Sequence, residues 1–407
     1  MVALGLVPAP SGAGGAGPAS GLAPRLYTVM PSSEADEITG PSTVESFTPS
    51  GYDLSTTAAV EGLNPHHFAP VPGRNIALIS HFSPAAFVEV FSLRKNAVVD
   101  TIPTGLGPRH LTFNRRGTVA YTANHDSDSV SALDTRSRRL IGTVPVGHEP
   151  NFVAYARTPH GPRVFVCNNG ADTLTVIDAR KLRVIRTIRV GEGPFDMAMT
   201  HHDRLMASAN AGDNTVSFVD TKTLRVIGTT PIGGVHAPVV PQKLHPRFTP
   251  NGRWLFVGNQ DASVISVIDV PRRRLRKLIP AGLGADIAFF PPRGPAKGYA
   301  LVTNRYDYFV SVLRLHGDRP PTPATRIPYR LLGSHYISFD SRYRRAFVSQ
   351  RPGRAFSVLD LQTLTNAVDS VPVAPGGEGA PLHQSGPDQA IFVWFRHGQA
   401  RWHIEER

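Results

Sequence analysis

Along most of the chain, short apolar runs alternate with clusters of turn-forming residues, and the alternation itself repeats. Residues 107–147 (GPRHLTFNRRGTVAYTANHDSDSVSALDTRSRRLIGTVPVG), 149–191 (EPNFVAYARTPHGPRVFVCNNGADTLTVIDARKLRVIRTIRVG) and 193–233 (GPFDMAMTHHDRLMASANAGDNTVSFVDTKTLRVIGTTPIG) each carry four β-rich segments at matching places, with a period of about 42 to 49 residues. A four-stranded sheet of that size buries its faces only against its neighbours, so such units stack around an axis as the blades of a β-propeller. The predicted fold is therefore all-β, a single β-propeller of four-stranded blades. Innermost strands are predicted near residues 67, 110, 152, 196, 245, 286, 336 and 383, which makes eight blades the expectation and seven the alternative. The last unit supplies only LHQSG, AIFVWF and ARWHIEE, while DLSTTAAVEGLNP (53–65) has the outer-strand pattern of RLIGTVPVGHEP (139–150). An N-terminal strand is thus expected to close the last blade and remove the open edge of the ring. The corresponding division is a leader at 1–24, an extension at 25–52 packed on the propeller, and the propeller at 53–407.

Composition sharpens this picture at three points. The 37 Gly and 37 Pro are spread along the chain, as frequent turns require, and the 41% apolar content is ordinary for a globular protein. The formal charge of +12 suits an anionic partner, but the one dense basic run, PRRRLRK (271–277), falls at a strand-to-strand turn and reads as a solvated face. With no aromatic-interleaved basic motif, nucleic acid is not an expected partner. The single cysteine, Cys167, lies in the apolar run RVFVCNN, so intramolecular disulfides are excluded and an inert buried thiol is expected. No apolar run approaches the roughly 20 residues of a membrane span. Residues 1–24 lack a cationic start and read as a disordered Gly/Ala/Pro leader, so the expected location is cytoplasmic, with export by way of an upstream start as the alternative.

The wording of the repeat resembles the YVTN family of bacterial propellers. The likeness is carried by AYTANHDSDSVSALD (120–134), VFVCNNGADTLTVID (164–178), LFVGNQDASVISVID (255–269) and AFVSQRPGRAFSVLD (346–360), and it extends over about residues 53 to 407. It implies the fold and leaves the activity open, because such propellers serve as scaffolds, lactonase-like enzymes and redox domains.

The candidate chemistry comes from reading down one register. Aligning HLTF (110–113), FVAY (152–155), DMAM (196–199), HPRF (245–248), DIAF (286–289) and YISF (336–339), with HFAP from 67 and HQSG from 383, places His67, His110, Phe152, Asp196, His245, Asp286, Tyr336 and His383 at the channel end of successive inner strands. His335 stands one place before Tyr336. Around the ring, His335, His383, His67 and His110 would form one wall, facing Asp196, His245 and Asp286. Converging imidazoles with open positions are the donor set of a catalytic copper, iron or zinc ion. The expected metal ligands are therefore His67, His110, His245, His335 and His383, for copper or iron. Asp196, Asp286 and Tyr336 are the candidate catalytic groups, and Arg109 and Lys243 the candidate holders of a substrate carboxylate.

Two other propellers resemble this layout. That of nitrous oxide reductase has hub histidines, including an adjacent pair matched here by His66 and His67, and it implies copper held by His110, His245, His335 and His383 as well. Asp196 and Asp286 stand where further histidines would complete a cluster, so a mononuclear site is the expectation. The eight-bladed domain of cytochrome-type nitrite reductase implies haem, although no CxxCH is present. The functional expectation is a metal-dependent oxidoreductase acting on a small molecule, with a possible redox partner. A binding scaffold for a protein or polymer, and a metal-independent lactonase or lyase, remain open. His125, His148, His201 and His202 fall in turns and read as surface residues. No GxSxG elbow, HExxH or phosphate loop occurs.

Overall fold

A computed structural model describes residues 25–30, 43–48, 50–60, 65–82, 84–233, 243–260, 262–350, 355–372, 390–396 and 399–402. The eight sheets are antiparallel throughout, and seven of them contain four strands that follow one another along the chain. The inner strands of blades 1 to 7 are Pro65–Pro70, Pro108–Phe113, Pro150–Thr158, Pro194–Met199, Leu244–Phe248, Ala285–Phe289 and Ser334–Phe339. The eight-bladed expectation is met.

Several blades repeat the same local solutions. At the end of the second strand an asparagine is fully buried, and its amide donates to hydroxyls of the third strand: Asn124 to Ser129 and Ser131, Asn168 to Thr173 and Thr175, Asn210 to Thr215 and Ser217. This is the physical content of the repeated Asn followed by Ser or Thr, since a buried amide left unpaired would be costly. At the end of the third strand an aspartate accepts backbone N–H groups two and three residues on, as Asp134, Asp178, Asp220 and Asp360 do, and so builds the turn into the outer strand. Gly147, which follows an outer strand, approaches the next blade so closely that a Cβ would lie 2.7 Å from Asn168. The core is split accordingly into wedges between blades, such as Tyr121, Val130 and Val144 of blade 2 against Val153, Val164 and Ile177 of blade 3.

The eighth blade departs from the expected strand allotment. From the rim inward it consists of Leu54–Ala59, Thr43–Phe47, Arg25–Met30, Ala390–Arg396 and Gln399–Trp402. Three of its strands are thus N-terminal rather than one, and the segment from 25 to 52 supplies two of them. The two ends of the chain meet by direct backbone pairing, with Leu26 opposite Phe392 and Tyr27 opposite Ile391. The residues between these early strands do not match the spacing of the other blades, which is why the repeat did not reveal them. Tyr27, Val44 and Ala58 pack on blade 1, while Leu26 and Phe47 pack on Phe347, Phe356 and Val358 of blade 7. The leader (1–24), His383 and the LHQSG segment lie outside the described residues.

Within this closing blade Glu45 is buried, and its Oε2 has no hydrogen-bond partner among the described residues. Burial pushes its pKa up to about 7 from 4.5. Between those values the folded protein keeps a proton that the unfolded chain has lost, so the stabilisation is complete below pH 4.5 and is lost as the pH rises through 7. Thermal unfolding should show Glu45→Gln raising Tm relative to the parent at pH 8 and leaving it nearly unchanged at pH 4.

Candidate functional site

A cavity of about 300 Å³ opens at the head of the inner strands, and its lining includes His66, His67, Arg109, His110, Lys243 and His245, followed round the ring by Arg305, His335 and Tyr336. Alternation along a regular strand would turn only every second residue inward. The pairing register shifts, however, between Pro65 and His67, Pro108 and Leu111, Pro150 and Phe152, Pro194 and Asp196, and Ser334 and Ile337. A bulge at the head of each strand lets two successive side chains face the channel. Hence His66 with His67, Arg109 with His110, Asn151 with Phe152, Phe195 with Asp196, and His335 with Tyr336 all line it. Blade 5 proves the rule, since Leu244–Phe248 pairs without a shift and lines the cavity with His245 and Arg247, two residues apart.

The most constrained part is a chain of alternating carboxylates and imidazoles. Asp196 is 1% exposed and Asp286 0%. His245 donates from Nδ1 to Asp196 at 2.8 Å, and its Nε2 lies 3.2 Å from Asp286. His335 donates from Nδ1 to the other oxygen of Asp286 at 2.8 Å. Arg247 donates to Asp196 at 3.0 Å, Gln260 donates to Asp286 at 2.9 Å, and Arg305 stands 3.9 Å from Asp286. Burial alone would raise both carboxyl pKa values. For Asp286 the charges of His245 and His335, the His335 hydrogen bond and Arg305 outweigh it, and for Asp196 Arg247 and His245 do, so both lie below the usual range. The backbone of Asp286 rests on Gly258 of blade 5 so tightly that any Cβ there would strike its carbonyl oxygen.

The opposite wall is built of flat rings. His67 stacks on His110 with ring centres 4.7 Å apart, and His110 stacks on Phe152 at 3.8 Å. Beside them His66 lies over Phe82 at 4.3 Å, and the Arg109 guanidinium sits 5.1 Å from the same ring while donating to Asn151 at 3.0 Å. Burial lowers the pKa of Arg109, partly offset by Asp126 and Glu149. Among the described lining residues, Arg109, Lys243, Arg247 and Arg305 outnumber the one carboxylate, Asp196, so these side chains give the mouth an excess of positive charge.

The expected convergence of histidines on one ion is not what this geometry provides. Among the described residues no group of three or more His, Cys, Asp or Glu is placed to hold a metal. His67 Nδ1 accepts the Leu111 N–H at 3.1 Å, which leaves the ring proton on Nε2. Both nitrogens of His245 face carboxylates. His110 and His335 direct Nδ1 to the Val153 carbonyl and to Asp286, the orientation of a ligand with its outer partner in place, but they stand on blades 2 and 7. His383 lies outside the described residues. Stacking and carboxylate pairing, invisible in a register of residue types, redirect these imidazoles.

Phe82, Asn151, Phe195, Arg247 and Arg305 line the mouth without having been picked out from the sequence. Arg305 and Phe82 follow second strands, and only the closed ring brings them to the inner-strand heads. Of the turn histidines, His148, which meets Asp128 at 3.1 Å, His201 and His202 are exposed as expected, while His125, which meets Asp126 at 2.6 Å, is mostly buried. Cys167 is buried, which raises its thiol pKa well above the usual value.

The class this geometry defines is an eight-bladed propeller with a basic, histidine-lined channel mouth. The family described as "Lactonase, 7-bladed beta-propeller" matches residues 87–223, about a third of the chain. No curated protein matches. Among solved structures, the dihydro-heme d1 dehydrogenase NirN in complex with DHE superposes with a TM-score of 0.66 at 15% identity, over 90% of this chain and 74% of that one. A functionally unknown protein from Desulfotomaculum acetoxidans gives 0.57 at 13% identity (77% and 98%), and a putative 6-phosphogluconolactonase from Bacteroides fragilis gives 0.53 at 15% (75% and 95%). At these identities the likeness is one of fold.

Because Asp286 joins two imidazoles, a glutamine and an arginine, Asp286→Asn should cost about 3–5 kcal/mol in denaturant unfolding near neutral pH. With its pKa depressed, Asp286 stabilises the fold above the unfolded value near 3.8 and loses that contribution as the pH falls below it. The acid-induced loss of stability should therefore be shallower in the variant than in the parent.

Proposed function

We propose that the channel mouth binds a small organic anion and hydrolyses an ester or lactone bond in it by general-base catalysis, without a metal ion held by protein side chains alone. One observation carries this reading: His335, on the wall of the cavity, donates from Nδ1 to the buried Asp286 at 2.8 Å. A carboxylate on Nδ1 fixes the tautomer with the Nε2 lone pair at the opposite edge of the ring, the arrangement that lets an imidazole take a proton from water. Because Asp286 stays ionised, it also stabilises the imidazolium that results. The resulting hydroxide adds to the carbonyl carbon, the C–O bond to the leaving alcohol breaks, and the proton on His335 passes to the alkoxide, giving an alcohol and a carboxylic acid that releases its remaining proton to solvent as a carboxylate. Arg109 and Lys243 hold the anionic group of the substrate, and Arg305 and Tyr336 stand on the wall beside His335. The partial match to a lactonase family supports this class of reaction.

A second reading is favoured by the ring stack. His67, His110 and Phe152 form a flat wall next to basic side chains, and His110, whose Nδ1 meets the Val153 carbonyl, would be the residue to hold an iron. Iron carried inside a planar tetrapyrrole needs one or two protein imidazoles rather than three or four, and the propionates would meet Arg109 and Lys243. NirN, whose fold is similar, is a dihydro-heme d1 dehydrogenase.

The two readings separate cleanly. On a panel of anionic lactones and esters, His335→Ala should lower kcat about 10²- to 10⁴-fold with KM little changed, and chelator should leave the parent rate intact. Activity abolished by chelator and restored by a metal ion would overturn the hydrolytic reading. Titration with haem should give no saturable shift of the Soret band under that reading; a stoichiometric shift that disappears in His110→Ala would establish the second.

A further inference from the structure

The channel has a second chamber. At the end away from the histidine mouth lies a cavity of about 280 Å³, lined by Pro70, Leu111, Phe113, Tyr155, Met197 and Met199 among others. His67, His110, Phe152 and Arg247 line both chambers and form the layer between them. Thioethers and aromatic rings together make a slot for a flat apolar group, since both are polarizable and sulfur contacts ring edges favourably.

The outer side of this slot is basic. Arg115 lines it and also lines an open depression whose other members are Arg157, Thr158, His201 and His202. These residues come from corresponding places on three successive blades, where the inner strands Pro108–Phe113, Pro150–Thr158 and Pro194–Met199 end and turn back. Among the described residues one carboxylate lines the slot. Asp203, 7% exposed, accepts from Arg115 Nη2 at 2.9 Å and from the backbone N–H of Arg157 at 2.9 Å, which ties the blade 2 and blade 3 turns to the blade 4 turn. Its charge is matched by Arg115. Among the described residues no carboxylate lies within ion-pairing distance of the Arg157 guanidinium, and His201 and His202 touch each other with ring centres 5.0 Å apart.

We propose that this end of the channel binds a phosphate monoester of a flat apolar group, with the apolar part between Phe113, Tyr155 and Met199 and the phosphate against Arg157, His201 and His202. Donors arriving from separate turns suit a tetrahedral group with three terminal oxygens better than a carboxylate with two. The site is independent of the chemistry at the mouth, because its ligand contacts come from the other ends of the strands. The shared layer of His110 and Phe152 places the two ligands on either side of one stack.

Isothermal titration tests this with phenyl phosphate, inorganic phosphate and benzyl alcohol as probes. Phenyl phosphate should bind at least about tenfold more tightly than either of the others, and the double variant Arg157→Gln/His202→Gln should weaken it about tenfold, as expected for loss of charge-assisted hydrogen bonds. The exposure of both side chains spares the fold. His335→Asn, at the mouth, should leave phenyl phosphate binding unchanged. Equal affinity for phenyl and inorganic phosphate, no saturable binding at millimolar concentration, or weakening by His335→Asn rather than by the double variant would each overturn the proposal.

Discussion

The antiparallel pairing of Arg25–Met30 with Ala390–Arg396 is the contact on which the other features rest. A four-stranded blade has no interior of its own. Its faces become core only when both neighbours are in place, so an open ring would leave the faces of two blades in water and the wedge between them unmade. Closure by backbone hydrogen bonds between distant parts of the chain, with Tyr27 stacked on Phe68 of blade 1 at 5.6 Å and Phe47 edge-on to Phe356 of blade 7 at 5.2 Å, fills the wedges on both sides of the closing blade. It also ties the stability of the ring to a blade that carries the buried Glu45.

Closure sets the terms for the mouth. Asp196 and Asp286 are buried charges, and each is tolerable only because partners from neighbouring blades reach it: His245 and Arg247 of blade 5 for the first, His245, His335 and Gln260 for the second. The network crosses blades 4, 5, 6 and 7, so no blade could hold its part alone. The contact of Gly258 with the Asp286 backbone shows how closely blades 5 and 6 must approach for those distances to arise. A polar chain of this kind is rigid, and rigidity is what a general base and an anion-holding cation both require.

The two chambers divide the chemistry of the channel. One end is basic and carries histidines positioned by carboxylates; the other has an apolar throat and a basic rim outside it. The same strands supply both, and the His67, His110 and Phe152 stack belongs to each. Part of the net charge of +12 is thus carried at both openings rather than by any single surface run.

The propeller class, the number of blades and the turn chemistry were legible in the chain because they are local and repeated. An Asn that reaches two hydroxyls, an Asp that builds a turn and a Gly that admits the next blade each recur at matching places in several units. The register of His67, His110, Asp196, Asp286 and Tyr336 was legible for the same reason. What those side chains do with one another was not. Whether an imidazole meets an ion, a ring or a carboxylate depends on bulges at the strand heads and on the approach of neighbouring blades, and neither is written in residue type. Arg247 and Arg305 reach the mouth, and the first strands reach the last, only through that assembly. Sequence periodicity determined which residues form the hub; the tertiary structure alone decided which atoms meet there, because those distances are set by packing between segments far apart in the chain.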